Sequence, residues 1–179
     1  TNDRRQRQMC IRDRDIPVFH DDQHGTAIVA TAGLLNALTI TGRDIKNFKM
    51  VVNGAGAAGI ACVELLKAMG MPSKNVIMSD RKGVISKSRN DLDQWKSAHA
   101  VDTPHKTLED ALKGADIAFG LSVKGAFTND MMLSMNDKPI IFAMANPDPE
   151  ITPDELRKIR PDAIIAVSYT HLTLPTIVR

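Results

Sequence analysis

A chain of 179 residues that is 43% hydrophobic but only 4% aromatic has the length of one domain with an aliphatic core, as Val and Ile strands under Ala-rich helices would make it. Residues 1–14 hold five arginines against two aspartates and Arg179 adds a further cation, so the formal +2 leaves the body of the chain at −2, without the basic run that a nucleic-acid or membrane-surface partner requires. No apolar stretch nears membrane-spanning length, and two distant cysteines, Cys10 and Cys62, speak against a disulfide framework or structural zinc and make a reducing cytoplasm the expected location.

Residues 1–14 show neither periodicity nor a turn signal and are expected to be foreign to the domain, which is read as 15–167. Over 25–38 small and aliphatic residues are dense, and Ile28, Ala32, Leu35 and Leu38 at helical spacing predict a well-buried helix that closes near Thr41 and Gly42. Residues 48–53 predict a strand running into a glycine turn, and 60–69 a helix stopped by Gly70 and Pro72. A second strand is expected over 75–79, then a charged turn Asp80-Arg81-Lys82-Gly83. Surface helices are expected over 90–98 and 107–113, the latter opened by Thr107 with Asp110 at capping-box distance. Strands over 116–119, 139–143 and 163–167 follow, separated by short helices over 129–135 and 153–159. This alternation predicts an α/β fold, a Rossmann-like doubly wound parallel sheet with helices on both faces. Residues 168–179, a Thr and Leu mixture directly after a strand, again read as foreign.

Gly54-Ala55-Gly56-Ala57-Ala58-Gly59 fits G-x-G-x-x-G between a strand and a helix. The first glycine permits the turn, the second lets a pyrophosphate approach the backbone, and the third lets helix and strand pack closely. On spacing alone a structural helix-strand turn is the commoner reading. Asp80 strengthens the dinucleotide reading, because it ends the next strand about twenty residues on, where an acid can hydrogen-bond an adenosine ribose. Arg81 and Lys82 blur the choice of cofactor: Asp80 favours NAD, whereas the two cations could hold the extra phosphate of NADP.

His20-Asp21-Asp22-Gln23-His24-Gly25-Thr26 sets two carboxylates between an apolar segment and the first helix. Ordinary helix capping is one reading. A zinc site on His20 and His24 is a second, but Pro17 and the apolar approach make the two histidines straddle a helix start instead of sharing a helix face. The third is a hard-cation site for Mg²⁺ or Mn²⁺.

The segment 16–26 and the helix after it resemble the metal-binding segment of bacterial malic enzymes. The resemblance extends from about 15 to 167 through further motifs in the same order: Ser79-Asp80-Arg81-Lys82-Gly83-Val84-Ile85, Gly120-Leu121-Ser122-Val123-Lys124-Gly125 and Phe142-Ala143-Met144-Ala145-Asn146-Pro147-Asp148-Pro149-Glu150. The resemblance implies that Asp22 is a metal ligand and Asp21 its neighbour in the catalytic and metal network. It also implies that Asn146 contacts substrate, and that Thr26, Ser122 and Val123 touch the NAD or NADP bound at Gly54, Ala55, Gly56, Ala57, Ala58, Gly59, Asp80 and Arg81. The implied reaction is oxidation of malate, loss of CO₂ and protonation to pyruvate, by a homo-oligomeric parent enzyme with a small-molecule substrate and neither a nucleic-acid nor a membrane partner.

The family's catalytic Lys and Tyr and its upstream Glu-Asp metal ligands have no counterpart in this sequence, and Ser168-Tyr169-Thr170-His171 stands where the family continues into a Gly-Arg-Ser segment. The expectation is therefore a fragment between two artefactual flanks, inactive by itself. The alternative is a non-catalytic dinucleotide-binding or regulatory module. An amino-acid dehydrogenase would have no use for the acidic pair.

Overall fold

The computed structural model describes residues 19–168; the flank 1–14 and all but the first residue of the flank 168–179 lie outside them. A turn of π-helix, Asp21–Gly25, runs into helix α1 (Thr26–Thr41), which ends on Gly42 in the left-handed conformation at φ 67°. Strand β1 (Met50–Asn53), helix α2 (Ala57–Ala68), strand β2 (Val76–Asp80) and a two-residue strand β3 (Gly83–Val84) follow. After the one-turn helix α3 (Gln94–Ser97) and helix α4 (Leu108–Leu112) come β4 (Ile117–Gly120), α5 (Asn129–Leu133), β5 (Ile140–Ala143), α6 (Pro153–Ile159) and β6 (Ile164–Val167).

The strands form one sheet in the order β3-β2-β1-β4-β5-β6, parallel throughout except for β3, which pairs antiparallel with β2. The expected doubly wound sheet is thus present, with a short antiparallel edge added. Alternate strand residues serve opposite faces. Met50, Val52, Ile117, Phe119, Ile140 and Phe142 face a core closed by α1 and α2. Val51, Ala118, Ile141 and Ala143 face a second core with Leu112 of α4, Met132 of α5 and Leu156 of α6. Continuous apolar strands are what burial on both faces demands.

Capping chemistry fixes the short helices. Thr107 accepts the Asp110 amide while Asp110 accepts the Thr107 amide, the expected capping box. Thr152 and Glu155 repeat it at the head of α6, with Pro153 in the first turn. The region 90–98 is helical only over Gln94–Ser97, because Asp93 spends its carboxylate on the Trp95 and Lys96 amides and so starts the helix late.

Helix α1 differs from expectation in its facing. Ala27, Ala30, Thr31, Leu34, Ala37 and Leu38 are buried, whereas Ile28 is 57% and Leu35 37% exposed. The helix is apolar on all sides, so periodicity alone names no inner face. Close approach decides it: Gly33 lies against the Phe142 ring, and the small residues of this stripe let the helix lie down on the sheet.

Candidate dinucleotide site at the sheet's switch point

The chain leaves β1 for β2 on one side and returns to place β4 on the other. The loops after β1 and β4 therefore diverge, opening a crevice at the carboxyl ends of the strands, the place where such sheets bind ligands. A cleft of about 940 Å³ occupies it, lined on one side by Asn53, Gly54, Ala55 and Gly56 and on the other by Leu121, Ser122 and Val123.

Asn53 laces three strand ends together. Its Nδ2 donates to Ser122 Oγ at 2.8 Å, and its Oδ1 accepts from Ser79 Oγ at 3.2 Å. The Gly54 amide donates to the Ser79 carbonyl at 3.0 Å, and the Leu121 amide to the Asn53 carbonyl at 2.8 Å. Gly54 has φ 124°, and a Cβ there would strike the Leu121 carbonyl. A Cβ at Gly59 would collide with the Gly54 carbonyl oxygen, so the third glycine is needed for the helix to leave the turn. Gly56 has open space where its Cβ would be; it caps α2 with extended backbone and no side-chain bond. The helix begins at Ala57, three residues before the periodicity indicated, directly after the Gly54-Ala55-Gly56 backbone that lines the cleft, and the first amides of a helix have no partner within it.

Asp80 ends β2 at the far side of this cleft, but its carboxylate is engaged. Oδ1 accepts from Arg89 Nη1 at 2.8 Å and from the Lys82 amide at 3.0 Å; Oδ2 accepts from Lys96 Nζ at 2.7 Å and from Arg89 Nη2 at 3.4 Å. Burial alone would raise this carboxyl, yet the bonds from Arg89 and Lys96 outweigh it and hold the pKa at about 2. Arg89 is itself shared with Asp91, at 2.9 Å from Nε to Oδ1. Arg81, Lys82, Lys96 and Lys106 all line the cleft beside the single carboxylate of Asp80. Sequence reasoning found Asp80 and Arg81 but missed Arg89, Lys96 and Lys106, which reach the site through the irregular segment after β3 and carry no motif.

On the β4 side the Ser122 amide donates to Glu150 Oε1 at 2.8 Å, and the Ala145 amide to Glu150 Oε2 at 3.0 Å. Glu150 is 1% exposed. Burial pushes its carboxyl above the ordinary Glu value, against the opposing pull of these amides. Asn146 follows directly, exposed, with a cis peptide bond to Pro147. Val123 is 58% exposed at the rim.

The acidic-pair turn Asp21–Gly25 packs on α1 and α2. Its edge of the sheet follows from the other end of the helix: Arg43, just past α1, donates to the Asp137 and Lys138 carbonyls at 2.6 and 2.9 Å, ahead of β5. With Gly33 against Phe142, α1 runs antiparallel to the strands, and its head with Asp21 and Thr26 sits at the same carboxyl edge as the glycine turn and Asn146. The His20 amide donates to His24 Nδ1 at 3.0 Å, so the two histidines straddle the helix start as expected. The Asp22 side chain lies outside the described residues. Among the described residues no three His, Cys, Asp or Glu side chains converge on a metal position, and the two N-cap residues here, His20 and Gly25, make no side-chain cap bond. Cys62 is buried, which pushes its thiol up to about 12 and leaves it no role as a nucleophile.

The family model described as malic enzyme, NAD binding domain, matches residues 23–170. The chain belongs to the malic enzyme family. It is 67% identical over 153 residues to the NADP-dependent malic enzyme of Rhizobium meliloti and 58% identical over 153 residues to the probable NADP-dependent malic enzyme of Rickettsia prowazekii, in each case 85% of this chain and 20% of the relative. The crystal structure of the NAD-dependent malic enzyme from Thermotoga maritima superimposes with a TM-score of 0.81 at 40% identity, covering 89% of this chain and 43% of that one. The chain thus spans about a fifth of the length of these two curated relatives. Among its described residues no helix is long and apolar enough to cross a membrane.

Proposed function

We propose that this chain is the dinucleotide-binding portion of a malic enzyme that prefers NADP, and that the parent enzyme oxidises malate and releases CO₂ to give pyruvate. The observation that carries the cofactor choice is the saturation of Asp80. A carboxylate offers about four acceptor positions, and Arg89, Lys96 and the Lys82 amide take them. A ribose diol would have to displace the half-buried Arg89 or Lys96 to reach it, whereas a 2′-phosphate meets Arg81, Lys82, Lys96 and Lys106 at the cleft wall.

When bound, the nicotinamide would accept hydride from the hydroxyl-bearing carbon of malate. The chain's own part is to orient the dinucleotide: the Gly54–Gly59 turn and the head of α2 receive the pyrophosphate, and Ser122, tied to Asn53, holds the rim of the nicotinamide half. Asn146 and Thr26, at the same edge, are proposed to contact substrate and cofactor, and Asp21 and Asp22 to belong to the site of a Mg²⁺ or Mn²⁺ ion. The described residues do not by themselves complete a ligand set for that ion. The 179 residues alone are proposed to bind dinucleotide without turning over malate.

The single tryptophan, Trp95, adjoins Lys96, so quenching of its fluorescence reports occupancy of the adenosine end. Titration should give NADP⁺ a Kd at least tenfold below that of NAD⁺. Equal affinities, or a preference for NAD⁺, refute the assignment.

A further inference from the structure

Glu150 is a buried carboxylate whose described side-chain hydrogen-bond partners are backbone amides. Its two oxygens go to different loops: Oε1 to the Ser122 amide after β4 and Oε2 to the Ala145 amide after β5. The strands are built to leave it room. Gly120 sits at the end of β4 with the Glu150 carboxylate where its own Cβ would be, so any larger residue would evict it. The Phe127 amide also donates to the Glu150 carbonyl at 3.4 Å, anchoring the residue itself. A second link between the same loops, Lys124 Nζ to Asp148 Oδ2 at 3.2 Å, has both side chains more than half exposed, and such pairs contribute little.

We propose that Glu150 is a positioning residue: its carboxylate clamps the loop after β4 to the loop after β5 at one spacing, and so sets the nicotinamide half of the cofactor site against Asn146. The charge is what lets one side chain do this. An ionised carboxylate is acceptor-only and serves two facing donors at once, whereas an amide of the same shape must turn a donor toward one of them. The inference rests on the dinucleotide reading above. It adds that the adenosine half, built by β2 and the segment after β3, is independent of the clamp.

That independence gives the test. Glu150→Gln conserves volume and removes a buried charge, so the chain should stay folded, and the full 179-residue chain can be titrated with NADP⁺ and with 2′,5′-ADP, which occupies only the adenosine half. Expected are a loss of about tenfold in NADP⁺ affinity, the scale of one hydrogen bond to a charged group, with 2′,5′-ADP unchanged within twofold. Hydrogen exchange should show the Ser122 and Ala145 amides losing protection together. Gly120→Ala should produce the same pattern with the carboxylate still present. Unchanged NADP⁺ affinity in folded Glu150→Gln overturns the proposal, as does an equal loss for both ligands, which would mark a general structural role. If neither ligand binds the unsubstituted chain, it is the dinucleotide reading that has failed.

Discussion

Replacing Asp80 by Asn separates the two roles an acid can have at the end of β2. In the structure the carboxylate is held at about 2, against an ordinary 3.8, by Arg89 and Lys96, whose side chains are 15% and 19% exposed around an aspartate that is 13% exposed. A depression of this size corresponds to roughly 2 kcal/mol in favour of the folded state. The sign follows from the direction: a carboxyl whose folded pKa is depressed stabilises the fold above its unfolded value, near pH 4, and loses that contribution as pH falls toward 2. Asp80→Asn should therefore lower Tm at pH 7 by about 4–8 °C for a domain of this size, measured by circular dichroism. Below pH 4 the gap between variant and parent should close. Fluorescence titration supplies the functional arm: NAD⁺ affinity should change less than twofold, because the carboxylate is not free to hold a ribose. A tenfold loss of NAD⁺ affinity, or a Tm gap independent of pH, would refute the argument.

Two further outcomes test the fold beneath the site. Leu34→Ala, at a fully buried position, should cost about 3 kcal/mol in urea melts, against less than about 1 kcal/mol for Ile28→Ala on the outer face of α1; equal costs would reverse the facing described here. Gly59→Ala should destabilise by about 1–3 kcal/mol, because its methyl must displace the Gly54 carbonyl, and dinucleotide binding should fall with it; a variant of unchanged stability and affinity would show that this close approach is not obligatory.

Much of the molecule was legible in one dimension because the signals were local. The glycine turn between strand and helix, the Thr107 capping box and the alternation of apolar strands with helices each declare themselves within a few residues. The strands appear within a few positions of where they were expected. The acidic pair was recognisable only by resemblance, since two adjacent aspartates before a helix have an ordinary capping explanation. Glu150 was visible as the last residue of a motif, without anything in its spacing to indicate a role.

What sequence by itself determined was the element order, the doubly wound class and the position of the phosphate turn, since these follow from hydrophobic period and from backbone conformations that only certain residues permit. Tertiary structure decided which side of α1 is buried, because an all-round apolar helix selects its inner face by how closely small residues let it approach Phe142. It also decided the state of Asp80 and the task of Glu150. Both are carboxylates whose chemistry is set by partners far off in the chain, Lys96 sixteen residues away and Ser122 twenty-eight, and a contact over that separation exists only once the sheet has been assembled.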